Sequence, residues 1–130
     1  MGISKSKKKV CITGANGQLG KAIVKKLSSE YEIYNLDISY SSKDLDEHHY
    51  NLNISDEKKV RDFFQSINPD IIINNAGISV FSSYLERSSE ELNSVYNVNL
   101  KGTINMINEF ARVNQENLKE KSVINIASLY

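Results

Sequence analysis

Apolar and polar positions along this chain switch between two periods. Val10-Cys11-Ile12-Thr13 is a short, β-branched run closed by Gly14, a pattern that predicts a buried strand. Over residues 18–29 the spacing becomes helical. Leu19, Ala22, Ile23 and Leu27 share one face, and Lys21, Lys25 and Lys26 take the other. Strand, glycine turn and helix are therefore contiguous.

Residues 32–36 predict a second strand ending at Asp37, and a polar Ser- and Asp-rich stretch follows. Residues 48–51 predict a short third strand. Ser55 or Asp56 can cap a helix running to about residue 67, with Val60, Phe63, Phe64 and Ile67 on its apolar face. Asn68-Pro69 stops it. Ile71-Ile72-Ile73 is apolar on both faces, as a central parallel strand between two helix layers must be. Residues 90–114 predict one long helix, with apolar positions from Leu92 to Val113 at mixed three- and four-residue steps. A fifth strand is expected over 123–127.

This order reads βαββαβαβ, or βαβαβαβαβ if the stretch before His48 conceals a short helix. Either predicts an α/β fold with a doubly wound parallel sheet, right-handed crossovers and strand order 3-2-1-4-5, binding its ligand beyond the carboxyl ends of the strands. The fifth strand is expected as an exposed edge, with part of one sheet face bare.

Composition narrows the function. The chain has 130 residues, 16 basic and 16 acidic. Lys5, Lys7, Lys8 and Lys9 form a basic lead-in over residues 1–9, ahead of a single domain over 10–130. The remainder is acidic, which argues against a nucleic-acid partner. There is no apolar run of membrane-spanning length, no signal-peptide core and a lone Cys11, expected as a buried thiol. Together these point to a soluble, cytoplasmic setting without a membrane partner. No metal site is expected, because adjacent His48 and His49 on a strand point to opposite faces.

The chemistry is concentrated in Gly14-Ala15-Asn16-Gly17-Gln18-Leu19-Gly20, between the first strand and its helix. Glycines there permit a tight turn and a close backbone approach to a pyrophosphate, while the helix N-terminus offers unpaired N–H groups to the anion. Asp37, ending the second strand, can accept hydrogen bonds from ribose hydroxyls and would repel a 2′-phosphate, so NAD is expected over NADP. Asp37 could also serve simply as a strand-end turn former.

These features, with NLNISD, NNAG, NVNLKG and INIAS following in order, resemble the short-chain dehydrogenase/reductase family across essentially the whole chain. The resemblance implies a Rossmann-like, NAD(P)-binding domain. It places Asn53 and Ile54 near the adenine, and Asn75, Ala76 and Gly77 on the ribose and nicotinamide side. It also implies that Asn99 holds a water of a proton relay and that Ser128 hydrogen-bonds the reacting carbonyl or hydroxyl of a small substrate. Plainer readings stand beside these: Asn74 and Asn75 as strand terminators, Asn99 bonding a backbone carbonyl, Ser128 as an exposed hydroxyl.

The sequence departs from the family pattern in three ways. Its G-x-x-G-x-x-G spacing resembles the sugar-nucleotide branch, whereas NNAG resembles the simple alcohol and ketone branch. Asn53 stands where many members carry aspartate, although its side-chain carbonyl can still accept a hydrogen bond. No Tyr-x-x-x-Lys pair occurs, and Tyr130 cannot replace it. The chain is thus expected to be the cofactor-binding part of an oxidoreductase, incomplete toward its C-terminus, inactive alone and lacking the oligomer interface. The alternative is a nonenzymatic dinucleotide-binding or interaction module.

Overall fold

A computed structural model describes residues 6–128. Part of the basic lead-in, including Lys5, and Tyr130 lie outside the described residues. Five parallel strands run in the order β3-β2-β1-β4-β5. They are β1 (Lys9–Thr13), β2 (Glu32–Leu36), β3 (His49–Tyr50), β4 (Ile71–Asn74) and β5 (Ser122–Asn125). Helix α1 (Gln18–Leu27) joins β1 to β2, and α2 (Glu57–Ser66) joins β3 to β4. The crossover from β4 to β5 runs through α3 (Ser89–Val95), a π-helical stretch (Tyr96–Gly102) and α4 (Thr103–Val113).

The alternation within β4 assigns the two layers. Ile72 joins a cluster with Val60, Phe63 and Phe64 of α2 and Met106 and Phe110 of α4. Ile73 belongs to the opposite cluster, against which Ile71 and the α1 residues Ile23, Val24 and Leu27 pack. Cys11 is fully buried, and that burial pushes its thiol pKa up, so it remains a protonated core group. All four residues of β5 are exposed, and among the described residues β5 pairs with β4 alone.

The elements differ from the sequence expectation in three places, β3, the long helix and β5, and two alternatives it left open are settled. Strand β3 is only two residues long, because only Asn35↔His49 and Leu36↔Tyr50 pair. His48 meets Glu32 at 3.2 Å and His49 meets Asp46 at 2.8 Å. The stretch before it holds turns and no helix. Asp44 closes one of them by accepting from the Ser41 N–H and hydroxyl at 2.7 and 2.8 Å. Asp56, not Ser55, caps α2, accepting from the Lys59 N–H at 3.2 Å. The helix expected over 90–114 is broken by a π-helical stretch over Tyr96–Gly102, which separates α3 from α4. β5 spans Ser122–Asn125 where 123–127 was expected, and Ile126 adds one further bond to the Asn74 carbonyl at 3.0 Å.

Asp70 ties the amino ends of three strands together. Its carboxylate accepts from the Lys9 N–H and from Lys121 Nζ, both at 2.8 Å, and its backbone bonds Lys9 O and Ser122 N. Partial burial works to raise its pKa, but Lys121 and the Lys9 N–H outweigh that and hold it below the usual 3.8. A depressed folded pKa means stability that is present above the ordinary carboxylate range and lost as pH falls through the folded value. Asp70→Ala strands a Lys121 side chain that is only 8% exposed, and is expected to cost about 2 kcal/mol in a urea titration at neutral pH. The deficit should shrink as the pH is taken below about 4. A deficit unchanged by acid would rule out the ion pair as its source.

Candidate functional site

The carboxyl ends of β1, β2 and β4 open into a cleft of about 360 Å³. Its floor is the glycine loop. Gly14 has a φ of +65°, a left-handed conformation suited to glycine, and a Cβ there would lie 2.9 Å from Ala76 Cα. Gly20 sits in the first turn of α1, where a Cβ would overlap the Gly14 carbonyl and stand 2.8 Å from Ala15 Cα. These two positions draw the helix and the Ala76 loop tightly against the turn.

Side-chain bonds hold the same contact. Thr13 Oγ1 accepts from the N–H groups of Asn75 and Ala76, each at 3.0 Å, and Asn75 Nδ2 donates to Gly14 O at 3.2 Å. Helix α1 begins at Gly17 with no side-chain cap and no acidic residue in its first turn, while Lys25 and Lys26 occupy its last. Its N-terminal N–H groups and dipole therefore favour an anion.

The Ile54 side of the cleft is fixed from the opposite layer. Ile54 is buried, its carbonyl accepts from Asn105 Nδ2 at 2.9 Å, and its side chain packs where a Cβ on Gly102 would stand. The Asn53 side-chain carbonyl accepts from the Ser55 N–H at 3.0 Å and hydroxyl at 2.7 Å. That oxygen, which the family resemblance offers to adenine, thus has both lone pairs taken, and the amide NH₂ is the part left with bonding capacity.

Eleven of the twelve residues expected to bind cofactor line this cleft: Gly14, Gly17, Gln18, Leu19, Gly20, Asp37, Asn53, Ile54, Asn75, Ala76 and Gly77. Asn16 does not line it. It stands behind Asp37, donating its backbone N–H to Asp37 Oδ2 at 2.9 Å. The apolar walls Leu36, Ile38, Leu52 and Val98 were missed, although each directly flanks a singled-out polar position, Asp37, Asn53 or Asn99.

Of the two residues assigned to catalysis, Asn99 uses its side chain as a brace. Oδ1 accepts from the Ile78 N–H and Nδ2 donates to the Ile78 carbonyl, both at 2.8 Å. The bond is to a backbone carbonyl, as the plainer reading held, but one reached across the fold from the π-helical stretch. Ser128 is exposed beyond β5, at the carboxyl end of the sheet and outside the cleft lining. Asn74 Nδ2 donates to Asn125 Oδ1 at 2.8 Å, and the buried side-chain oxygen Oδ1 of Asn74 has no hydrogen-bond partner among the described residues. No group of three His, Cys, Asp or Glu among the described residues is arranged to hold a metal, and no helix among them is long and apolar enough to cross a membrane.

A glycine cradle that a Cβ would fill, an uncapped helix N-terminus and a carboxylate at the end of β2 fit a dinucleotide laid across the switch point between β1 and β4. Comparisons with known proteins agree. The sequence profile of the NAD dependent epimerase/dehydratase family matches residues 10–128. A diacetyl reductase [(S)-acetoin forming] of Staphylococcus epidermidis is 30% identical over 94% of this chain and 54% of its own length. A short chain dehydrogenase from Leptospira borgpetersenii, solved with bound NAD+, superposes with a TM-score of 0.86 at 32% identity, covering 100% of this chain and 57% of that one. A 4-hydroxyisoleucine dehydrogenase complexed with NADH gives a TM-score of 0.82 at 27% identity, over 94% of this chain and 56% of that one. The chain spans about half the length of the curated relatives it matches. With its Rossmann-like order of strands and its glycine cradle, the chain belongs to the NAD dependent epimerase/dehydratase family, among the short-chain dehydrogenase/reductase proteins.

Proposed function

We propose that this chain binds a nicotinamide dinucleotide, NAD in preference to NADP, as the cofactor-binding part of an oxidoreductase acting on a carbonyl or alcohol. The observation that carries the reading is one cleft holding both the open N-terminus of α1 and the Asp37 carboxylate. The helix N-terminus takes the pyrophosphate, and Asp37 accepts from a ribose hydroxyl. Asn75, Ala76 and Gly77 support the nicotinamide side. When bound, the nicotinamide supplies or accepts the hydride.

Asn99, through its two bonds to Ile78, holds the chain that follows Gly77 beside the reacting end of the cleft. Ser128 bonds the substrate oxygen. The G-x-x-G-x-x-G spacing favours a sugar-related substrate, and the lone buried Cys11 suits a reducing, cytoplasmic setting. Proton exchange with the substrate oxygen needs an acid/base, and these 130 residues contain no Tyr-x-x-x-Lys pair. The polypeptide itself is therefore expected to bind the cofactor without turning it over.

Fluorescence titration of the 130-residue chain with NADH should saturate, and Asp37→Ala should weaken the affinity about tenfold. An Asp37→Ala titration that matches the parent would remove Asp37 from the ribose role. NAD-linked turnover by the chain alone would contradict the acid/base assignment.

A further inference from the structure

We propose that Ser39, braced by Asn16 and Asn51, is a positioning residue for Asp37, and that this small network sets the discrimination between NAD and NADP. The inference rests on the dinucleotide reading above and deepens it. Asp37 leaves β2 with its backbone N–H already bonded to Tyr50 O at 3.1 Å, so only its side chain has freedom to lose. That freedom is removed by three donors. Oδ1 accepts from the Ser39 N–H at 2.9 Å and the Ser39 hydroxyl at 2.7 Å, while Oδ2 accepts from the Asn16 N–H at 2.9 Å.

The Ser39 hydroxyl in turn accepts from Asn16 Nδ2 at 2.8 Å, closing a ring of Asp37, Ser39 and Asn16. From the chain that follows β3, Asn51 Nδ2 donates to Ile38 O at 3.0 Å and Tyr40 O at 2.8 Å, clamping the turn on both sides of Ser39. Asp37 lines the cleft, whereas Asn16 and Ser39 do not. They act on a ligand through the carboxylate.

The count of lone pairs gives the consequence. A carboxylate offers roughly four acceptor sites, and the network fills both on Oδ1 and one on Oδ2. A single fixed acceptor is left, which a ribose hydroxyl can satisfy by donating its proton. A 2′-phosphate has no such proton at neutral pH and meets an unneutralised carboxylate. Of the neighbouring groups that could have donated to that phosphate, the Ser39 hydroxyl has committed its one proton to Asp37 and Asn16 Nδ2 has committed one of its two to Ser39. Discrimination therefore comes from a fixed acceptor together with committed donors. Losing Ser39 should loosen the first and release Asn16 Nδ2 from the second.

The test is a paired titration of the full chain with NADH and with NADPH. Ser39→Ala removes one of two bonds to Oδ1 at an exposed position and should weaken NADH roughly five- to tenfold, leaving NADPH unchanged or tighter. Ser39→Thr, which keeps the hydroxyl, should restore the parent ratio, and Asn51→Ala should shift it in the same direction as Ser39→Ala. Equal factors for both dinucleotides in Ser39→Ala, or failure of Ser39→Thr to restore the ratio, would overturn the proposal. If the parent binds NADH and Asp37→Ala loses it while Ser39→Ala matches the parent, the ribose reading stands and the positioning role falls. If the parent binds neither dinucleotide, both fall.

Discussion

Gly20→Ala is expected to abolish dinucleotide binding and to lower the unfolding free energy by about 3 kcal/mol. The added methyl would occupy the space of the Gly14 carbonyl and crowd the Ala15 backbone, neither of which can yield as the tip of a side chain can. The turn would have to open, separating α1 from β1 and moving the helix N-terminus away from the pyrophosphate position. Gly14 is pinned from the far side by the Asn75 amide and by contact with Ala76, so the displacement would spread into the nicotinamide side of the cleft. Gly17 provides the control. A Cβ there would meet only Gly14 O, at 3.3 Å, and Gly17→Ala should cost less than about 1 kcal/mol. Urea denaturation read beside NADH titration checks the pair. Equal behaviour of the two variants would refute the steric account of the loop.

Phe64→Ala should cost about 4 kcal/mol, a large share of the stability of a domain this size. Phe64 is 2% exposed and meets Phe63 and Phe110 at ring-centroid distances of 5.3 and 6.3 Å, so it joins α2 to α4 over the sheet. The same cluster contains Leu52 and Ile54, which reach the cleft from beneath. A cavity at Phe64 should therefore weaken NADH binding as well, by a smaller factor than a change at Gly20. The measurement is the urea midpoint at constant slope. A loss under about 1 kcal/mol would mean that the two helices are held by something other than this aromatic contact.

The parts of the fold that were legible in the sequence are those whose signal is local. Val10 to Gly20 states a strand, a turn and a helix in eleven consecutive residues, and Ile71 to Ile73 can only be a strand covered on both faces. What escaped depends on partners distant in the chain. The π-helical stretch is not marked by the three- and four-residue apolar steps, which are those of an ordinary helix, and the bond from Asn99 to Ile78 that accompanies it spans 21 residues. Strand β3 shrank because its extent is set by pairing with β2, not by its own residues. The shape of the cleft was legible where backbone conformation dictates residue type, as at Gly14 and Gly20. It was less legible where a side chain has a choice of partner. Asn16 could face the ligand by position, yet the turn commits it to Asp37 and Ser39, and Asn53 spends its carbonyl on Ser55.

The most direct test of a dinucleotide site at the carboxyl ends of the strands is an amide chemical-shift map of the 130-residue chain titrated with NADH. Saturable shifts are expected at Gly17, Leu19, Asp37, Ile54 and Gly77, with the opposite end of the sheet, around Asn117 and Lys121, undisturbed. Shifts centred on Asn117 and Lys121, or none at saturating NADH, would contradict a site at the carboxyl ends.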